Sequence, residues 1–513
     1  MKGTNESKSR RRWLIFAILL IILEIAAVAA AGMQIVWLNM IPTRYLLIAA
    51  GAVLLLVIIT IIFLLIKGNS VALRRVRQII GSILSVIIIA SSISGAVFVG
   101  KINHTVSSIT METTTSNVVG VYVMKSNAAQ SIVDIKDYKF AITPQFDYEN
   151  TTLALGDINK VLSTSVATIA YDNVTDMVDA LFKEEVDAII MNEAYSHILA
   201  EQEKYFMFAD DTRIVYEYKV LEERPQKEDT KKDNKEKSLA EEPFIAYVSG
   251  SDTLTSTLQT SRSDVNILAV VNPTTKQILL LNTPRDTYVG TTKSKNLEKD
   301  KLTHCGLYGI DCSISTLEKF YDIEVDCYAQ INFTGFKTLI DDIGGVTVYC
   351  EKAFTSADGF KYKKGENTLN GEYALSFVRE RDAFGDGDHQ RGRDQMKVII
   401  AILEKARNST ALLENYSDIL DDLSGMFVTD MSSSDMSALV KMQLDDMAEW
   451  NIKTYGLIGE GKSKTTYSVP NQKAYVMIPD EDSIDFAREL IQMVYDGEEI
   501  TDEVLEQAPV DRW

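Results

Sequence analysis

The chain predicts a membrane-anchored α/β protein: three N-terminal transmembrane helices, a small α/β accessory domain, and a larger α-β-α layered domain around a mixed central sheet. Three observations carry this. Long apolar stretches fill the first hundred residues. From Val118 onward, short β-type apolar runs interleave with segments of helical periodicity. A mixed-charge run without aromatics, Glu222 to Glu242, then divides that interleaved part in two. At 513 residues the chain is too long for one core and fits two or three domains. The expected boundaries are 1–100 for the anchor, 113–221 for the accessory domain, 222–243 for a charged linker, 244–497 for the large domain and 498–513 for an acidic tail.

Taken in order, the spans are Trp13 to Leu38, Tyr45 to Ile66 and Ile79 to Val99. Each reaches the roughly 20 apolar residues that a membrane helix needs, with at most one charge. A secretory signal offers one short apolar segment, so three in succession predict a permanent anchor. Lys2, Lys8, Arg10, Arg11 and Arg12 precede the first span, and Lys67, Arg74, Arg75 and Arg77 lie between the second and third. Cytoplasmic loops retain such positive charge, which places the N-terminus in the cytoplasm and everything after the third span outside the cell membrane. Residues 1–100 hold ten basic and two acidic residues, so the remainder carries −28 against −20 for the whole chain. So acidic an ectodomain excludes nucleic acid as a partner, because polyphosphate binding needs distributed basic charge.

In the accessory domain Val118 to Val123, Lys139 to Thr143, Ala167 to Tyr171 and Val186 to Met191 read as strands, and Val174 to Phe182 as a helix. No catalytic constellation is visible there, which points to a spacer or partner-binding role. In the large domain Phe244 to Val248, Val265 to Val271 and Gln277 to Leu281 read as strands, the last two forming a hairpin through Asn272 to Lys276. Ile314 to Tyr321, Phe333 to Ile340 and the Met396, Ile399, Ile400, Leu403 set read as helices, and Val346 to Tyr349 as a strand. Leu375 to Arg381 alternates as a strand with Leu375, Phe377, Arg379 and Arg381 on one face.

Between residues 244 and 497, six of the eight arginines fall in three short motifs: Arg262, Arg285, and Arg379 with Arg381, Arg391 and Arg393. Elsewhere lysine supplies the positive charge, so the clustering points to one anion site. Guanidinium binds phosphate oxygens through a planar, bidentate fork. Arg391 and Gln395 lie four apart and share a face at a helix start, where free N–H groups also favour an oxyanion. Asp252, Asp264 and Asp286 interleave with the arginines. Carboxylates oppose phosphate unless a hard cation sits between them, and Mg²⁺ or Mn²⁺ suits one or two carboxylates plus phosphate oxygens. Arginine clamp and cation together are what phosphoryl transfer from a pyrophosphate requires.

Seven ordered segments carry a resemblance: Tyr247 to Asp252, Ser261 to Asp264, Asn282 to Asp286, Lys301 to His304, Asn332 to Phe336, Val378 to Arg381 and Gly387 to Gln395. Together they resemble the LytR-CpsA-Psr family, nearest its capsule-associated branch with three spans and an accessory domain. The resemblance implies an extracellular catalytic domain over 244–497 that moves a glycopolymer, capsular or teichoic-acid-like, from an undecaprenyl-pyrophosphate carrier to peptidoglycan. A phosphodiester forms and the lipid phosphate leaves. By motif position Arg262, Arg285, Arg379, Arg381, Arg391 and Gln395 hold the pyrophosphate, Asp252 and Asp264 bind the metal, and Asp264 or Asp286 takes the acceptor's proton. The implied partners are the polyprenyl-pyrophosphate-linked glycan, peptidoglycan, the membrane and other capsule or wall assembly proteins. One departure is Asp394-Gln395-Met396 where many members have Arg-Gln-Gln, which leaves a phosphate contact either missing or supplied by Arg393.

Rival readings are a pyrophosphate hydrolase or carrier-binding protein, which differ from a transferase only in the acceptor, and a transcription-attenuator-type regulator, which lacks any helix-turn-helix segment. Cys305, Cys312, Cys327 and Cys350 fit either two disulfides or four buried thiols. Gly456 to Ser463 matches a phosphate-loop pattern but runs into strand-like sequence instead of a helix, so it is set aside.

Overall fold

The computed structural model describes residues 2–66, 71–111, 114–144, 147–223, 238–385, 387–408, 418–419 and 421–509. Most of the charged linker, Lys67, Asp386 and the last four residues of the tail lie outside the described residues. The chain divides into two units, residues 1–108 with 238–240 and 432–448, and residues 109–237, 241–431 and 449–513.

In the first unit, three helices among the described residues are long and apolar enough to cross a membrane: Arg10–Leu38, Thr43–Leu65 and Val71–Ile102. Their apolar side chains suit lipid, so packing alone gives little preference for one arrangement. A single carboxyl joins all three. Thr60 Oγ1 donates to Glu24 Oε1 at 2.9 Å and Ser85 Oγ donates to Oε2 at 2.8 Å, with all three side chains shielded from solvent. Each such bond between membrane helices contributes about 1 kcal/mol.

The second unit begins with a five-stranded sheet ordered Ala167–Ala170, Lys139–Ile142, Ala188–Asn192, Thr114–Met124, Thr212–Glu223. The first three strands run parallel and the long outer pair antiparallel. Ala188–Asn192 is buried along its whole length, as an apolar strand covered on both faces must be. Helix Val174–Phe182 starts where the Asn173 side chain accepts from Asp176 N, and it buries Val174, Met177, Val178 and Leu181 at helical spacing.

The six-stranded sheet is ordered Phe427–Thr429, Cys327–Asn332, Phe244–Ser251, Ser263–Asn272, Gln277–Asn282, Asn451–Gly456. Its strand pairs are antiparallel, parallel, antiparallel, antiparallel and parallel in that order, so the expected mixed sheet is present. Leu268, Val270, Leu279 and Leu281 are buried in one cluster with Leu317, Tyr321, Leu490 and Val494 from helices Ile310–Tyr321 and Glu481–Asp496. A second cluster joins helices Phe333–Asp342, Gly371–Arg379 and Asp388–Asn408 through Ile340, Ala374, Phe377 and Val398.

The register gathers the charged motifs at one edge of this sheet. Ser251 pairs with both Ser263 and Asn332, while Asn282 pairs with Ile267 and Gly456. Asp252 follows one strand, Arg262 and Asp264 flank the start of the next, and Arg285 and Asp286 follow the third. Side chains separated by 20 or more residues are therefore neighbours.

Several expectations need correction. Leu375 to Arg381 is not a strand: Gly371–Arg379 is a helix capped by Asn370, whose side chain accepts from Tyr373 N. Its buried Gly371, Ala374, Leu375 and Val378 follow a 3.6-residue period that the apparent alternation hid. Of the two cysteine alternatives the structure has the second: all four are buried thiols, none in a disulfide. Cys350 lies in Val346–Cys350, which pairs with Gly365–Leu369, so its strand is not paired with that of Cys327. The tail is not free at its start, because Ile500 is fully buried in the large core. Gly459–Thr465 is a strand, which agrees with setting the phosphate-loop pattern aside.

Gly306 sits against the backbone that carries Arg262. A Cβ there lies 2.6 Å from Ser261 O and 2.7 Å from Ser263 N. Gly306→Ala is expected to lower stability by about 1–3 kcal/mol through overpacking and to weaken anion binding by displacing Arg262. Denaturant unfolding and pyrophosphate titration check both effects.

Candidate functional site

At the gathered sheet edge lies a cavity of about 770 Å³. Arg262, Asp264, Arg285, Asp286, Arg379, Arg381, Arg391 and Gln395 line it, so eight of the nine expected site residues meet in one place. Asp252 does not line it. Its Oδ2 instead accepts from Arg262 Nε at 2.9 Å and Nη2 at 2.5 Å, which makes it the support of that arginine. Lys301 and Lys473 add further cations, and Val265, Phe333 and Val378 form an apolar side.

The arginines fall into two kinds. Arg285 is buried, and its Nη1 donates to Asp264 Oδ1 at 2.6 Å. Thr303 locks the pair from behind, its N donating to Arg285 O at 2.9 Å and its Oγ1 to Asp264 Oδ1 at 3.3 Å. Arg391 is buried in the first turn of its helix and paired with Asp388. By contrast Arg379 and Arg381, at and just beyond a helix end, are exposed, and among the described residues no carboxylate pairs with either. The Arg379 guanidinium lies 4.9 Å from the Phe333 ring centre, which orients it without neutralising it. Gln395 Nε2 donates to Val378 O at 3.4 Å. Arg393 donates to Gln390 Oε1 from Nε at 3.1 Å and does not line the cavity.

Burial alone raises the Asp264 carboxyl, but Arg285, Arg262 and Arg391 outweigh it and hold the group below the usual carboxylate range. Arg285 shows the converse: burial lowers it, and Asp264, Glu201 and Asp286 together push it upward. Burial dominates at Arg391 and lowers it.

Sequence reasoning missed two participants. Lys301, inside a quoted motif, has its Nζ 3.1 Å from Asp286 Oδ1. Glu201, from the five-stranded layer, forms ion pairs with Arg262 and Arg285 and accepts from Lys301 Nζ at 3.1 Å. The Lys301 to His304 motif pointed to the first; no local signal marked the second. His304 itself is structural, with Nδ1 2.7 Å from Asp300 Oδ1.

The donor set suits a divalent cation completed by a ligand. Asp252 Oδ1 is buried without a partner, and Asp264 faces the cavity. Among the described residues no three His, Cys, Asp or Glu side chains form a cage. Magnesium needs none, because one or two carboxylates plus phosphate oxygens and water hold it.

Residues 213–484 match the model of the LytR_cpsA_psr family. Among curated proteins, the polyisoprenyl-teichoic acid–peptidoglycan teichoic acid transferase TagU of Enterococcus faecalis is 35% identical over 219 residues, 42% of this chain and 69% of that protein. The corresponding transferase TagT of Bacillus subtilis is 35% identical over 191 residues, 36% of this chain and 58% of that one. The crystal structure of B. subtilis TagV superposes with a TM-score of 0.43 at 27% identity, over 50% of this chain and 98% of that one.

Asp394, beside Gln395, is buried and its carboxyl is pushed up to about 6 by that burial. The folded state therefore keeps a proton that the unfolded chain releases above its ordinary value of 3.8. Its contribution is full below that value and is lost as pH rises through about 6. Asp394→Asn, which imitates the protonated acid, is expected to stabilise the protein by about 1–2 kcal/mol at pH 7.5, with the gain vanishing near pH 4. Thermal melts across that range read it directly.

Proposed function

The chain belongs to the LytR_cpsA_psr family, and on that footing we propose that it is a membrane-anchored phosphotransferase. It moves a glycopolymer, capsular or teichoic-acid-like, from an undecaprenyl-pyrophosphate carrier to peptidoglycan on the outer side of the cell membrane. One observation carries the reading: Arg379 and Arg381 face the same cavity as the carboxylate-held Arg262 and Arg285, yet themselves lack a carboxylate partner among the described residues. The relatives' names, as teichoic acid transferases acting on peptidoglycan, support donor and acceptor class. The basic residues flanking the spans support a cytoplasmic N-terminus.

In this reading the fixed arginines set the position of the pyrophosphate while Arg379 and Arg381 close on its outer oxygens. Five or more cations around one diphosphate neutralise the charge that builds on the leaving phosphate. Asp252 and Asp264 would hold Mg²⁺, or Mn²⁺ in its place, which supplies further neutralisation of the phosphate oxygens. The acceptor hydroxyl oxygen bonds to the phosphorus next to the glycan. The anhydride bond breaks, and its electron pair leaves with undecaprenyl phosphate. Asp264, held below the usual range by its arginines, is a poor proton acceptor, which favours Asp286 as the group that takes the hydroxyl proton. Val265, Phe333 and Val378 offer the apolar wall for the first prenyl units.

The test supplies the full-length protein in detergent with a lipid-pyrophosphate-linked oligosaccharide, peptidoglycan fragments and Mg²⁺. Mass spectrometry is expected to show the joined glycan, and Arg381→Ala to reduce its rate by about 10²-fold or more. Chelating the metal is expected to stop the reaction. Free glycan phosphate without joined product would replace the transferase reading by hydrolysis.

A further inference from the structure

The cavity is not simply an open anion site, because one of its own walls supplies an anion. Glu201 immediately follows helix Ala194–Ala200 of the five-stranded layer. Its two oxygens reach Arg262, Arg285 and Lys301, three cations that face the cavity. We propose that Glu201 is a built-in competitor for the donor: its carboxylate fills part of the pyrophosphate site and must swing out before the donor can seat. This rests on the anion-site reading above and adds an element of control to it.

Three observations favour displacement over a permanent role. A carboxylate and a phosphate seek the same guanidinium forks, so the two cannot share them. Burial alone raises the Glu201 carboxyl, but Arg285, Lys301 and Arg262 outweigh it and hold it well below the usual range, which makes it a poor general base. Next to it Gln202 is buried with both amide atoms unpartnered and lines the same cavity. A fixed strut has no need of that penalty, whereas a segment with a second position can relieve it.

The movement is local. Tyr195, Ile198 and Leu199 of the helix are buried in one apolar cluster with Leu307 and Val469 of the large domain. Asn471 Nδ2 also donates to Asp176 Oδ1 at 3.0 Å. These contacts keep the layers together. Past the helix the turn is anchored at Lys204 and Tyr205, which donate to Asp179 at 2.6 and 2.8 Å, while Glu203 is exposed and the Glu201 side chain keeps 25% of its surface in solvent. In this proposal Glu201 swings out ahead of that anchor and clears the arginines.

The experiment titrates full-length protein in detergent with inorganic pyrophosphate and Mg²⁺ by calorimetry, comparing wild type, Glu201→Gln and Arg381→Ala. Hydrogen exchange at residues 201–207 is followed in the wild type. Glu201→Gln keeps the side chain's shape and removes the competing charge, so it is expected to bind about tenfold tighter or better, since the competent state is no longer a minor fraction. Exchange at residues 201–207 is expected to rise on saturation. Equal or weaker binding by Glu201→Gln, with binding still dependent on Arg381, would overturn the competitor while leaving the anion site intact. Unchanged exchange would overturn the displacement. An absence of Arg381-dependent binding in both wild type and Glu201→Gln would overturn the anion site itself, and the competitor with it.

Discussion

Guanidinium groups can be crowded at a sheet edge only if carboxylates stand between them, and that constraint shapes the large domain. Arg285 is held by Asp264, Arg262 by Asp252 and Arg391 by Asp388. Each pair is fixed in the low-exposure ground beneath the cavity, where breaking it would strand a buried charge. The sheet order follows the same need, since the two antiparallel pairings of Ser263–Asn272 put its start beside the ends of Phe244–Ser251 and Gln277–Asn282, which brings arginine and aspartate together. With the floor neutralised, Arg379 and Arg381 remain exposed without a carboxylate among the described residues. The division gives a site rigid enough to position a ligand and charged enough to hold one.

Much of this was legible in the sequence, for identifiable reasons. In an acidic chain that uses lysine elsewhere, clustered arginine stands out, and the clusters meet in the cavity. The hairpin between Val265 and Leu281 was equally plain, because β-branched and leucine runs flank a short Pro-containing turn. The helix at Gly371 was misread because Leu375, Phe377, Arg379 and Arg381 happen to alternate. Asn370 before it, with Ala374 and Val378 four apart, held the better signal.

Other features lay beyond sequence reading. Glu201 precedes Arg262 by 61 residues and belongs to a segment without a catalytic pattern. Only the packing of two layers gives it a role. The same holds for Asp252, recognisable as a carboxylate near the arginines but assignable as the partner of Arg262 only when both side chains are in place. Long-range ion pairs leave no periodicity in a sequence, whereas helix faces and strand alternation do.

The apolar cluster that Tyr195 and Ile198 share with Leu307 and Val469 has a further consequence for how this protein can be cut. Backbone pairing crosses the same seam, with Thr260 N donating to Ser116 O at 3.2 Å. A fragment begun at Phe244 would lose that cover and turn Leu307 and Val469 toward water, inviting self-association. The smallest fragment that keeps the seam closed starts ahead of Thr114, so the two layers form one piece for any truncation.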